Sequence, residues 1–518
     1  MNVGRFLASA AERYPDNPAF IWGDRITTYR QANARANALA AGLRDLGLTP
    51  GERVGVFMWN QPQVLESYFA TWKAGGCVVP LNARFVADEV IYHLQDPRAS
   101  VVIFGEEFRE MMAQVRDRLP TVKHYLCVGQ PLHGQIAYED VVRSYMGAGE
   151  PSGEVKDDDL AWLFYTSGTT GRPKGAMLTH RNLTFMAVAW IADLMHLEPE
   201  DVGLHAATLT HGAGFHSIAL TLKAVPQVIL KPVRFDAQNF CATVTRQRVT
   251  NTWLVPTQIK MLLHYAELET WDLSSLKWVV YGGSPMYVED LKAALRRIGP
   301  VLVQLFGQGE TPMTGAYLRA QEHVIDGPES KRLASCGHAR SGMEVRILGE
   351  NDEELPRGQA GELCIRGPSV MKGYWERPEA TAETLRGGWL HTGDIAYMDE
   401  QGYVYILDRT KDMIISGGSN IYPREIEEIL LQHPAISEVC VIGVPDELWG
   451  EAVKAVVVLK SGAMTTAEEI MAFASERMAG YKKPKSVEFV TELPKSPVGK
   501  VLKRELRDKY WAEQRRKV

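Results

Sequence analysis

The sequence predicts an α/β fold: layered α/β subdomains with a β-rich subdomain in a large N-terminal domain, then a small α+β C-terminal domain. Three observations lead there. Short, almost fully apolar runs rich in β-branched residues alternate with helical patterns from about residue 50 to residue 307, as buried, largely parallel strands with crossover helices do. After about Ser335 the runs shorten and glycines crowd between them, which reads as a hairpin-rich region. From Lys411 a new unit begins and runs into a basic tail.

Taken in order, "MNVGRFLASAAERYP" reads as an amphipathic helix that ends before Pro15, without the apolar core of a signal peptide. "RVGVFM", "CVVPLN" and "SVVIFG" are strands separated by the helices "NQPQVLESYFATWKAG" and "ADEVIYHLQ". "DLAWLFYTS" is a strand, followed later by a helix from about Asn182 to Met195 and by "QVILKP". "TNTWLVPT", "LKWVVYGGS" and "VLVQLFG" continue the strands, with a helix near 286–297. "EVRILG", "GELCIRG" and "GYVYILD" form the β-rich part. "YPREIEEILLQHP" is a helix with Pro423 suited to its first turn and Pro434 beyond its end. Strands "EVCVIGV" and "AVKAVVVL" and a helix near 466–478 follow. These place a domain boundary at Arg409–Lys411, giving domains 1–410 and 411–518.

Composition excludes several classes. A chain of 518 residues with 45% apolar and 23% charged residues is ordinary globular material for two to four domains. Net charge is −6, so no global basic field recruits nucleic acid or an anionic membrane. Six single cysteines, with no Cys-x-x-Cys and no histidine pair at metal spacing, argue against a disulfide framework or structural zinc and fit a reducing, cytoplasmic setting. No apolar run approaches the length that spans a bilayer. A homodimer is left open.

The most informative stretch is "YTSGTTGRPKG", Tyr165 to Gly175, with three glycines, four serine or threonine hydroxyls and a lysine. It follows a buried strand, where backbone N–H groups can converge on an anion. Lys174 adds a point charge suited to phosphate. It is not a Walker A loop, because Gly175 stands where that motif needs Ser or Thr. An ordinary surface loop has little use for so many hydroxyls beside so many glycines.

This run resembles the signature of the adenylate-forming superfamily, which includes acyl- and aryl-CoA synthetases, adenylation domains of peptide synthetases and beetle luciferases. Four further segments resemble the family's motifs in order: "VLVQLFGQGET" (301–311), "GELCIRG" (361–367), "GWLHTGDIAYMDEQGYVYILDRTKDMIISGGSNIYPREIE" (388–427) and "LPKSPVGKVLKREL" (493–506). The first 160 residues match more loosely.

The resemblance implies an ATP-dependent acid–thiol ligase that makes acyl-AMP with release of pyrophosphate, then acyl-CoA with release of AMP. It implies Mg²⁺, held by Glu310, with ATP and coenzyme A as co-substrates. Thr166, Ser167, Gly168, Thr169, Thr170, Gly171 and Lys174 would cradle the phosphates. Phe306, in place of the family's usual Tyr, would stack on adenine beside Gly307, with Gly283, Ser284 and Pro285 along the nucleotide. Asp394 and Arg409 would hold the ribose. Lys500 would bridge the acid's carboxylate and the α-phosphate, although composition alone makes it one of several solvated lysines. Lys411 would be the hinge of a mobile C-terminal domain, and Gly417 and Gly418 would admit the pantetheine arm. One departure stands out: Gly309 occupies the position where the family commonly has Thr.

For the acid, His211 matches the position that gates the carboxylate, with a satisfied core histidine as the ordinary reading of both His211 and His216. Gly214, Gly282 and Gly283 remove bulk, and Phe215, Trp253 and Tyr281 complete an apolar pocket. "TLTHGAGFHSIAL" (208–220) holds no Asp or Glu to pair an α-ammonium, which argues against an amino acid. A fatty acid is favoured and an aryl acid allowed. Transfer to a carrier protein or a luciferase-like oxidation is the alternative, and a non-catalytic nucleotide-binding protein the remote one.

Overall fold

The computed structural model describes residues 2–166, 172–230, 234–409, 411–416, 419–446, 449–496 and 501–511. Ser167, Gly168, Thr169, Thr170, Gly171, Gly417, Gly418 and Lys500 lie outside these described residues.

The alternating pattern folds into two large sheets. In the seven-stranded sheet, Arg53–Phe57, Cys77–Pro80, Val101–Gly105 and His124–Val128 run parallel, and Leu160–Thr166 joins beside Cys77–Pro80. In the nine-stranded sheet, Asn251–Leu254, Trp278–Gly282 and Leu302–Gln308 are parallel neighbours. Both sheets close with antiparallel edges. Thr311–Leu318, unforeseen in the sequence, turns back along Leu302–Gln308. Lys174–Thr179 turns back along Leu160–Thr166, pairing Thr166 with Lys174. The segments on either side of the glycine-rich run are therefore antiparallel partners, and a second strand intervenes before the next helix.

Local chemistry explains the helix ends. Pro62–Ala74 starts with proline in its first turn and stops at Gly75 at φ +88°, the asymmetry expected of these residues. His180–Ala189 is capped by Thr179, whose side chain accepts from the Asn182 N–H. That helix then widens into a π turn, Trp190–Leu194, shorter in regular α form than its periodicity predicts.

The glycine-punctuated region forms an antiparallel sheet of Glu344–Leu348, Gly361–Arg366, Leu390–Met398 and Val404–Arg409. Residues 414–489 build the last sheet on the long pair Ile436–Asp446 and Gly450–Leu459, with helix Pro423–Leu430 against it. All six cysteines are free and buried. No helix among the described residues is long and apolar enough to cross a membrane.

Candidate active site

A cleft of about 1560 Å³ lies where the carboxyl ends of the central strands meet the C-terminal unit, the place open α/β sheets offer to ligands. His211, Gly283, Ser284, Pro285, Phe306, Gly307, Asp394, Arg409 and Lys411 line it, as do Ser496 and Val501, which flank the segment bearing Lys500. Residues far apart in sequence thus share one space.

Glu310, which is not among the residues lining the cleft, sits with Gly309 in the turn between Leu302–Gln308 and Thr311–Leu318 and is 8% exposed. Its Oε1 accepts from the Thr166 hydroxyl at 3.0 Å and from the Tyr374 hydroxyl at 2.7 Å. Lys174 Nζ sits 4.4 Å from the centroid of the Tyr374 ring, so one tyrosine organises both the lysine and the carboxylate. Burial, and then the Glu310 charge, push the Tyr374 phenol well up, so it stays a donor. Tyr374 was not singled out from sequence. An isolated tyrosine in "MKGYWERP" carries no spacing signal.

In the cleft wall, Asp394 is 4% exposed and both its oxygens are engaged. Oδ1 faces Arg409 Nε at 3.2 Å, and Oδ2 accepts from Gln308 Nε2 at 2.8 Å. Gln308 also donates to the Thr392 carbonyl at 2.9 Å. Gln308 is a second residue the sequence reading passed over, although it stands between Gly307 and Gly309 in the same motif. Arg409 pairs with Asp394 because Leu390–Met398 and Val404–Arg409 are antiparallel in that register.

His211 precedes helix Gly212–Leu222 and accompanies the Phe164 ring, centroids 5.7 Å apart and edge to face. Its Nδ1 lies 3.0 Å from the Thr210 hydroxyl. Burial, reinforced by His93, pushes its imidazole down to about 4, so it is neutral at pH 7. His216 takes the ordinary reading. It is fully buried, stacks on Trp190 and bonds Asn251 Oδ1 through Nε2 at 3.0 Å.

The acyl-pocket expectation needs corrections. Tyr281 does not face the cleft: its hydroxyl meets His323 Nε2 at 3.0 Å in a separate core, while Val280 packs in the core that holds Trp253. Alternation along the strand sends adjacent residues to opposite faces. Gly214 and Phe215 stand behind His211. A Cβ on Gly214 would lie 2.9 Å from the buried Trp162 ring, and Phe215 packs on Trp162 and Phe164. Trp253 is likewise buried rather than lining the cleft.

The missing side chain at Gly309 has a local reason. A Cβ there would fall 2.5 Å from Phe164 Cδ1 and closer still to Thr166 Cγ2. Phe164 thus fills the space a threonine would need.

Across the cleft, Lys503 is buried between Glu427 at 3.1 Å and Asp408 at 3.5 Å. Burial alone would lower its ammonium, but the two carboxylates outweigh it and hold it raised. Glu427 also accepts from the Tyr287 hydroxyl at 3.1 Å, and Lys260 donates to the Ser437 carbonyl at 2.9 Å. These contacts tie the C-terminal unit to the large one.

Comparison with known proteins places this geometry. The family model for the AMP-binding enzyme matches residues 7–375, and that for the AMP-binding enzyme C-terminal domain matches 425–500. A feruloyl-CoA synthase of Amycolatopsis sp is 38% identical over 508 residues, 98% of this chain and 99% of the relative. A long-chain-fatty-acid–CoA ligase of Bacillus subtilis is 38% identical over 531 residues, 96% of this chain and 93% of the relative. The anthranilate CoA ligase AuaEII in complex with anthranoyl-AMP superposes with a TM-score of 0.91 at 28% identity, covering 99% of this chain and 98% of that one. Motif order, converging side chains and these matches agree: the chain belongs to the AMP-binding enzyme family, the adenylate-forming ligases of acyl-CoA synthetase type.

Proposed function

We propose that this enzyme activates a carboxylic acid, aromatic or aliphatic, with ATP and passes the acyl group to coenzyme A. The observation that carries the reading is the single cleft that holds His211, Phe306, Asp394 and Arg409 together with the flanks of the Lys500 segment. Two anions must meet there, so the site's task is to hold and neutralise negative charge. Asp394, with Arg409 and Gln308 fixing its oxygens, offers an acceptor for the ribose hydroxyls. Phe306 provides a face for adenine. Lys174, Thr166 and the hydroxyl-rich run Ser167, Gly168, Thr169, Thr170 and Gly171 meet the phosphates. Neutral His211 stands at the acid's carboxylate end.

Mg²⁺ suits Glu310, whose Oε2 accepts no hydrogen bond among the described residues while Thr166 and Tyr374 orient the carboxylate through Oε1. A hard cation prefers such oxygens. Bound there with the phosphates, it would offset their charge.

Lys500 bridges the carboxylate and the α-phosphate in the first step. Rotation about Lys411 then exchanges it for Gly417 and Gly418, which border on the exposed Ser419, and the thiol of coenzyme A attacks the acyl carbon while AMP leaves. The domain division at Arg409–Lys411 and a cytoplasmic location belong to the same reading.

Pyrophosphate release measured with a panel of carboxylic acids, with and without coenzyme A, tests it. Release and thioester formation with at least one acid are expected. Release without thioester would move the activity to a carrier protein, and no release with any acid would refute the ligase. Lys500→Ala should cripple adenylation and spare thioester formation from preformed acyl-AMP, whereas Lys411→Pro should impair the second step.

A further inference from the structure

The glycines around the acid end of the cleft suggest open volume, yet that volume is occupied from within. Trp253, on strand Asn251–Leu254, is 4% exposed. A Cβ on Gly212 would lie 2.5 Å from its Nε1, one on Gly282 3.2 Å from its Cη2, and one on Gly283 3.9 Å from its Cζ2. Gly212 is therefore cleared for this indole, whereas Gly282 is kept small first by the Leu305 carbonyl and Gly283 by its φ of +82°.

The indole is also held. Trp190, on the π turn, meets it edge to face with centroids 6.4 Å apart. The Met313 side chain approaches the same Gly212 position, at 2.5 Å. Met313 itself adopts φ +59°, an uncommon backbone for a side chain of its size. Its carbonyl accepts from the Arg340 guanidinium at 2.6 Å, and Arg340 is paired with Asp193 at 2.7 Å, both side chains almost completely buried. Asp193 comes from the turn that carries Trp190. One buried ion pair therefore braces two of the indole's neighbours.

Resting on the ligase reading above, we propose that Trp253 plugs the acyl end of the site and restricts the enzyme to compact acids, a single aromatic ring or a short chain. The room for the acid lies in front of the indole, where His211, Gly283, Leu305 and Gly307 line the cleft. A long tail needs the space the indole fills, and close-packed interiors do not yield it continuously. Apolar pockets discriminate by tens- to hundreds-fold when shape is the criterion, so a preference of about 100-fold is expected.

The test measures kcat/KM for pyrophosphate release with benzoate, cinnamate, butanoate and tetradecanoate, in the wild type and in Trp253→Gly and Trp253→Leu. The wild type should prefer at least one compact acid to tetradecanoate by about 100-fold. Trp253→Gly should raise tetradecanoate turnover about ten-fold or more, and Trp253→Leu, which retains apolar packing, should raise it less. Equal use of tetradecanoate by the wild type would overturn the plug and leave the ligase standing. Folded variants with an unchanged ratio would overturn it too. If no acid at all releases pyrophosphate, the ligase reading falls and the plug falls with it.

Discussion

Replacing Gly309 by alanine adds one methyl group where two neighbours have nowhere to go. The new Cβ would sit 2.5 Å from Phe164 Cδ1 and closer still to Thr166 Cγ2. Phe164 can yield only by leaving Phe215, whose ring it stacks on at 5.4 Å, and its edge-to-face contact with His211. Thr166 can yield only by turning its side chain, which breaks the 3.0 Å bond from its hydroxyl to Glu310. Overpacking of this kind costs about 1–3 kcal/mol. A lost hydrogen bond to a charged group removes a further 1.5–3 kcal/mol or so where it is fully desolvated, and every 1.4 kcal/mol or so is ten-fold. Gly309→Ala should therefore melt at lower temperature and release pyrophosphate about 10- to 100-fold more slowly. Phe164→Ala in the same chain removes one of the two clashes, so the double variant should recover part of the loss, a coupling that a double-mutant cycle reads directly. If Gly309→Ala melts and turns over like the wild type, the steric account of the missing threonine is wrong.

Other outcomes follow from the same geometry. Tyr374→Phe keeps the ring under Lys174 and removes only the donor to Glu310, so kcat/KM should fall about 10-fold and more Mg²⁺ should be needed for half-maximal rate. An unaltered Mg²⁺ titration would count against the pairing. His180, His205, His211 and His323 are held neutral by burial, each pushed from 6.5 down to about 4. The unfolded chain thus binds more protons between these values, and stability present above pH 6.5 should drain away as pH falls toward 4. Melting temperatures that stay flat from pH 7 to pH 5 would contradict this. Lys503→Met strands Asp408 and Glu427 without their shared cation, a loss of about 3–5 kcal/mol for a buried pair. Limited proteolysis near residues 410–412 should accelerate, and an unchanged cleavage pattern would show that this ion cluster does not hold the C-terminal unit in place.

Much of this protein was legible in one dimension. Apolar β-branched runs separated by helical periods had to become buried parallel strands, because both faces of such a sheet are covered. Lys174 could be read as an anion-binding group from its glycine-rich setting, whereas Glu310, Asp394 and Arg409 were singled out by the resemblance of short motifs to one family, and the fold brings Asp394 and Arg409 into one cleft. The strand Lys174–Thr179 and the pairing of Thr311–Leu318 escaped, because an edge strand's partner is a distant segment that local pattern does not name. Tyr374 and Gln308 escaped for a related reason. Each is ordinary in its own neighbourhood and matters only through what the fold brings beside it, Glu310 in one case and Asp394 in the other.

The acid end of the site marks the boundary most sharply. Sequence alone determined that glycines and aromatics cluster there. Only the tertiary structure decided that Tyr281 points into another core, that Trp253 fills the space which Gly212 vacates and that the Leu305 carbonyl fills the space beside Gly282. Composition counts side-chain volume, but whether a gap is a pocket depends on which neighbour reaches it first, and that is settled by close packing among segments distant in the chain.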